Sequence, residues 1–366
     1  MNEYTVLIVE DDELARQGWE RDIREFNRNP DKKLRYRAVF AATKSEGLHA
    51  LRRNVINCAV IDLRLPHGDL PSDSVTSEAT GNRVLEQVLM ESGIPAVVYS
   101  GYPAEASDIV KTSNIKIVGK TGNGGKKILD QLACFEGLMA AMDEARRRIS
   151  TESAKLFNSS IWGRWENTWK SSTDRDTIAG MITRQIVAHV ADKLSIQPSY
   201  HHPDEFYIIP AISTERLDTG NLVELDKDTY VVVTPRCNLA RDPYPANILL
   251  ALCKPMTTEW DDLRSRFGGK KPESAGREMR SYATQGHSTS THFLPPCGDK
   301  GPWLVDFREI RAEPSANVPI LLNSRFGSIS SQFVPNLVQR YAAYLGRIGQ
   351  PDIDHSYLIS HCTKTA

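Results

Sequence analysis

Cysteine is sparse in this chain and never paired. The six residues, Cys58, Cys134, Cys237, Cys253, Cys297 and Cys362, are scattered without a CxxC spacing, which argues against a disulfide framework and suits a reducing compartment. Neither sign of charge dominates: 45 basic residues face 46 acidic ones, for a net charge of -1. That balance gives no general argument for nucleic acid. Long apolar runs are absent. "VLIV" and "ANILLAL" fall far short of the ~20 residues that cross a bilayer. The N-terminus "MNEYTVLIVEDD" lacks a basic leader region, so no signal peptide is expected and a cytoplasmic location is. There is no internal repeat, Walker loop, GGDEF-type run or HD pair.

From residue 5 to about 120, strand-like runs alternate with amphipathic segments. "TVLIV", "YRAVFAA", "CAVIDL", "PAVVYSG" and "IKIVGK" are separated by "ELARQGWERDIREF", "KSEGLHALRR", "GNRVLEQVLMES" and "AEASDIVKTS". Five strands alternating with helices predict a doubly wound, five-stranded parallel sheet. Active groups then belong at the carboxyl ends of the strands.

Those ends carry chemistry. The first strand runs into Glu10, Asp11 and Asp12, the third into Asp62, the fourth into Ser100 and the fifth into Lys120. Carboxylates gathered at one edge repel unless a cation neutralises them, and an all-oxygen set suits a hard divalent ion such as Mg²⁺. Acids, a metal, a hydroxyl and a lysine are the parts of a phosphoryl-transfer site with Asp62 as nucleophile.

In order, "VLIVEDDELAR", "AVIDLRLP", "VVYSGY" and "IVGK" resemble the receiver domain of two-component response regulators over residues 1 to about 140. The resemblance implies a flavodoxin-like fold and Asp62 as phosphoacceptor. It implies Mg²⁺ held by Glu10 and Asp11, with Asp12 as a substitute in a shifted register and the Arg64 carbonyl as a further ligand. Ser100 would turn toward the phosphoryl group and Lys120 would pair with it. The chain departs from the family in three places. Ile117 stands where an aromatic is common, and Thr121 follows the lysine in place of proline. Gly81 lies 19 residues after Asp62, leaving the segment from His67 to Thr80 as an insertion beside the pocket.

Residues 126–158 read as one helical stretch, serving as last receiver helix and linker and as a candidate dimerisation helix. Residues 159–366 predict an α+β domain with a small antiparallel sheet or barrel. Its strand-like runs are "EFYIIPAI", "TYVVVT", "NILLALCK", "HFLP" and "WLVDFREI", followed by a helix in "SSQFVPNLVQRYAAYLGRIG". "RSRFGGKKPESAGREMRSYATQGHSTS" reads as a loop. Trp162, Trp165 and Trp169, at i, i+3 and i+7, form one helical stripe that predicts core or interface packing. Cys237, Cys253, His292 and Cys297 are weighed as a zinc site, and Cys237 with His287 or His292 as a nucleophile pair. Buried, inert cysteines are the default for all of them. "VVVTPRCNLA", "THFLPP", "WLVDFREI" and "FVPNLVQRYAAYLGRIGQPD" together resemble an uncharacterised bacterial domain that recurs in defence-associated and signalling gene neighbourhoods. Asn238 stands where that domain often has Asp.

The expectation is a response regulator phosphorylated at Asp62 by a sensor histidine kinase. Its output module would act through protein interaction. The alternatives are a gated enzyme acting on nucleic acid or a nucleotide, or a DNA-binding regulator. A homodimer through the receiver face or the linker helix is expected to be compatible with this, and no membrane contact is.

Overall fold

The computed structural model describes residues 2–65, 80–111, 115–120, 124–170, 174–196, 201–211, 216–269, 272–347, 349 and 352–362. Residues 66–79, which include the inserted segment up to Ala79, and Thr121 lie outside them. The chain packs as two compact units, Met1–Gln197 and Pro198–Ala366.

In the first unit the strands are β1 (Asn2–Val9), β2 (Leu34–Ala41), β3 (Cys58–Ile61), β4 (Ala96–Ser100) and β5 (Lys116–Gly119). All pair in parallel, in the order β2-β1-β3-β4-β5. This is the flavodoxin-like doubly wound order, which places a ligand crevice at the β1/β3 switch point. The helices are α1 (Glu13–Arg28), α2 (Lys44–Arg53), α3 (Gly81–Gln87), α4 (Asp108–Lys111), α5 (Gly124–Ala133) and α6 (Glu136–Leu156).

Side-chain alternation along the buried strands builds two cores. Leu7, Val9 and Ile61 point to the side of Val84, Leu85 and Val88. Val6, Ile8 and Val60 point to the side of Trp19, Ile23, Phe26, Ile128, Leu129 and Leu132. Helix α1 starts where Asp12 accepts a hydrogen bond from the Leu14 amide at 2.9 Å. It buries Trp19, Ile23 and Phe26, four and then three residues apart, as an amphipathic helix must.

The stretch at 126–158 is two helices. Helix α5 ends at Ala133, and Glu136 opens α6. The chain then winds through π-helical turns at Phe157–Ile161 and Trp165–Trp169, with the short α7 (Trp162–Arg164) between them. Trp162 and Trp165 are exposed there. Wider π turns shift the angular spacing, so an i, i+3, i+7 set no longer lies on one face. Helix α8 (Arg175–Ser195) completes the unit, with His189 Nε2 3.3 Å from Glu152 Oε2 of α6.

The second unit contains β6 (Tyr207–Ile208), β7 (Asn221–Leu225), β8 (Asp228–Val232), β9 (Asn247–Pro255), β10 (Thr291–Leu294), β11 (Trp303–Pro314) and β12 (Arg325–Ile329). They form one open antiparallel sheet, ordered β10-β11-β9-β8-β7-β12-β6. A sheet and not a barrel is therefore the outcome. The helices of this unit are α9 (Arg236–Leu239), α10 (Thr257–Phe267), α11 (Pro272–Ala283), α12 (Val318–Asn323), α13 (Val334–Leu345) and α14 (His355–Cys362). One face packs Leu222, Val231, Val305 and Phe307 with Leu337 and Tyr341 of α13. The other packs Val223, Val232 and Leu250 with Val318 and Leu321 of α12.

The run read as a loop after residue 264 contains the end of α10 and all of α11. Its charges and glycines mask a helical face that buries Ala275. No helix of the described residues is long and apolar enough to cross a membrane.

Candidate phosphoryl-acceptor site

Strand register gathers the acids. Val9 pairs with Ile61, so the next residue on each strand, Glu10 and Asp62, stand side by side. Their amides stay tied to the sheet, Glu10 N–H to the Ala41 carbonyl and Asp62 N–H to the Val9 carbonyl, both at 2.9 Å. Ser100 pairs with Gly119, which puts Lys120 one residue beyond. The Lys120 amide donates to the Ser100 carbonyl at 3.0 Å.

Lys120 joins the two acids. Its Nζ donates to Glu10 Oε2 at 2.6 Å, to Glu10 Oε1 at 2.9 Å and to Asp62 Oδ2 at 2.7 Å. Glu10 is 2% exposed and Asp62 7%, so both carboxylates are held in a poorly solvated setting. Burial raises the Glu10 pKa; the Lys120 hydrogen bond and charge oppose that rise, and the Asp62 charge adds to it. For Lys120, burial lowers the pKa, but hydrogen bonds to Asp62 and Glu10 and the charges of both outweigh it and leave the pKa raised.

One oxygen from each of Glu10, Asp11 and Asp62 lies within 4.8 Å of the others. Among the described residues this is the one group of three or more His, Cys, Asp or Glu side chains so arranged. The donor set is all oxygen, with two buried members and an exposed Asp11, and it fits a hard cation. Asp12 is not in this group, and its Oδ1 caps α1. Cys237 is exposed and Cys253 buried, and neither joins His292 and Cys297 in a metal-ligating group.

Ser100 is fully buried, and its Oγ accepts from the Tyr102 amide at 3.2 Å. The Arg64 amide points to Asp62 Oδ1 at 3.4 Å. Its guanidinium lies 3.3 Å from the centre of the Tyr102 ring and makes a two-point contact with Glu105. Glu105 is itself held through its carbonyl by Asn82 at 3.0 Å. Arg16 was not anticipated by sequence reasoning. It donates to the carbonyls of Glu10 (2.8 Å) and Asp11 (2.7 Å) and so fixes the acidic turn.

The foot of the insertion is a closed clasp. Thr80 Oγ1 donates to the Leu65 carbonyl and accepts from the Leu65 amide. Gly81 N–H donates to the Leu63 carbonyl at 2.8 Å. A Cβ on Gly81 would lie 2.0 Å from the Asp62 carbonyl oxygen, so no other residue fits against the Asp62 backbone. Because both ends are joined here, the length between them matters little to the fold.

No family model matches the chain, and no curated protein does. Solved structures that match include receiver domains. A CheY-like receiver from Methanospirillum hungatei is 21% identical, over 39% of this chain and 98% of that one, at a TM-score of 0.29. Response regulator TrrA from Thermotoga maritima, solved with Mg²⁺ and BeF, is 16% identical, over 35% and 98%, at 0.28. The receiver domain of a Pseudomonas aeruginosa sensor histidine kinase, solved with magnesium in its active-site cleft, is 16% identical, over 37% and 98%, at 0.27.

Proposed function

We propose that the N-terminal unit is a phosphorylation switch in which Asp62 accepts a phosphoryl group from a sensor histidine kinase. The observation that carries this reading is Lys120 Nζ bridging Glu10 and Asp62 at adjacent parallel strand ends. In the reaction, an Asp62 carboxylate oxygen attacks phosphorus, the P–N bond of the phosphohistidine breaks, and the imidazole leaves with the electron pair. Lys120 is placed to follow the charge, exchanging its Asp62 contact for one to the transferred oxygens. Mg²⁺ held by Glu10, Asp11, Asp62 and the Arg64 carbonyl would offset the charge on the phosphoryl group. Ser100, at the end of β4, would re-aim its hydroxyl toward the new acyl phosphate.

That group carries about -1.5 to -2 charges at neutral pH, so it biases the β4–β5 face between two arrangements. Residues 126–158 would carry the change toward an output module at 159–366. Protein interaction is the proposed output, and a role in defence follows the C-terminal resemblance. A gated enzyme acting on nucleotides is the second reading, supported by the cavity in the second unit described below. A soluble cytoplasmic setting is part of the same proposal, as is pairing of two chains through the receiver face or the linker helix.

The test is incubation with acetyl phosphate and Mg²⁺. Wild-type chain is expected to take up one phosphoryl group, and Asp62→Asn and EDTA-treated chains none. Undiminished uptake by Asp62→Asn would overturn the assignment.

A further inference from the structure

The second unit holds a buried histidine that the switch does not use. His292, on edge strand β10, is 1% exposed. Among the described residues, neither of its ring nitrogens has a hydrogen-bond partner. Nearby, Arg340 donates to the carbonyls of Ser288 and Thr291, yet its buried Nε is also unpartnered. Buried polar atoms are rarely left unpaired. Here three of the seven such atoms in the described residues belong to these two side chains.

His292 forms part of the wall of a cavity of about 350 Å³, with His201, Pro203, Phe206, Pro295 and Phe333. That volume suits a small organic ligand. Phe206 and Phe333 stack at 4.6 Å with an interplanar angle of 26°, and His201 meets Phe333 edge-on at 5.7 Å. Both phenylalanines are half-buried, so each offers ring surface to the cavity. Gln285 and Tyr207 nearby are already engaged. Gln285 donates to the Phe293 carbonyl and accepts from its amide, at 2.8 and 2.7 Å, and the Tyr207 hydroxyl donates to the Pro295 carbonyl at 2.7 Å.

We propose that this cavity binds a small, flat nitrogen heteroaromatic of the nucleobase class, read by the His292 ring and stacked on the phenylalanines. The ring can read both kinds of edge. Burial and the charges of Arg340 and His287 push its pKa down to about 3, so at neutral pH it offers one N–H donor and one lone pair. Arg340 beside it disfavours a cationic ligand. A metal is disfavoured because no further Cys, Asp, Glu or His pair joins His292 in a ligating group among the described residues. Aromatic walls suit a flat π-system, whose stacking adds to the hydrogen bonds. The proposal stands on the unit Pro198–Ala366 alone and is independent of the phosphorylation reading.

The experiment is calorimetric titration of the full chain with adenosine, guanosine, cytidine and uridine, accompanied by ¹⁵N-histidine spectra. At least one nucleoside is expected to bind and to shift the His292 ring nitrogens. His292→Leu should weaken that binding by about tenfold or more, with thermal stability unchanged or raised because two unpaired buried atoms are removed. Asn336→Trp, a change at an exposed position lining the cavity, should block binding without touching the core. Absence of binding by all four nucleosides at millimolar concentration would overturn the proposal. So would equal binding by His292→Leu, or a large loss of thermal stability in that variant, which would assign the ring to the core.

Discussion

Replacing Lys120 by methionine keeps the aliphatic stem and removes the charge that joins Glu10 to Asp62. The side chains of those acids are 3% and 8% exposed, and their oxygens lie within 4.8 Å of one another. At that separation, and at an effective dielectric of about 20, two unit negative charges repel by about 3.5 kcal/mol. Breaking a buried pair by removing one partner costs about 3–5 kcal/mol in general, so both routes agree. With a urea m-value of about 1–3 kcal/mol/M, the unfolding midpoint of the first unit should fall by roughly 1–5 M in EDTA at pH 7.

Two conditions should restore it. Millimolar Mg²⁺ would supply the missing positive charge. Acid would do so by protonation. Glu10 already has a raised pKa in the folded state. A raised carboxyl pKa means that the destabilising contribution is absent below the unfolded pKa and grows as pH rises through the folded one. The gap between wild type and Lys120→Met should therefore narrow on acidification toward about pH 4. Urea melts followed by circular dichroism across pH, with EDTA or Mg²⁺, measure all three effects. A variant as stable as wild type in EDTA, or a gap indifferent to acid and metal, would refute the reasoning.

Further expectations concern the surroundings of the site and the second unit. Gly81→Ala forces a methyl group against the Asp62 carbonyl and should destabilise by about 1–3 kcal/mol or more, lowering the melting temperature and acetyl phosphate labelling together. Thr80→Val removes the Leu65 clasp and should cost about 1–3 kcal/mol by leaving backbone groups unpaired, measurable by urea unfolding. Asp306 is buried, and hydrogen bonds from Arg308 and Lys254 hold its pKa well below the usual carboxylate range, against the cost of burial. Its stabilising contribution is present above the unfolded pKa and lost as pH falls through the folded one. Acid unfolding of the second unit below about pH 4 should therefore weaken its pH dependence in Asp306→Asn.

The gathering of Glu10, Asp62 and Lys120 was legible because strand-end acids leave a plain signature. An apolar run in "CAVIDL" stops at a carboxylate, and parallel register does the rest, setting Asp62 beside Glu10. Helix α1 is as local and equally readable, and the structure adds that Asp12 Oδ1 accepts from the Leu14 amide at its start. What sequence patterns missed depends on geometry between distant residues. Arg16 grips two carbonyls, and Arg64 spends its guanidinium on Tyr102 and Glu105; no spacing rule announces either contact. The tryptophan stripe assumed 3.6 residues per turn, and π turns broke that period. In the second unit β12 escaped notice because "RFGSI" is short and interrupted by glycine, and α11 because Ala275 is its one buried residue.

The most direct measurement is the chemical identity of the modified residue. Chain labelled with acetyl phosphate and Mg²⁺, reduced with borohydride and digested, should yield homoserine at position 62 by peptide mass spectrometry, since only an acyl phosphate is converted in this way. Homoserine at another aspartate, or a stable phosphoester on a hydroxyl residue with Asp62 unchanged, would contradict the account.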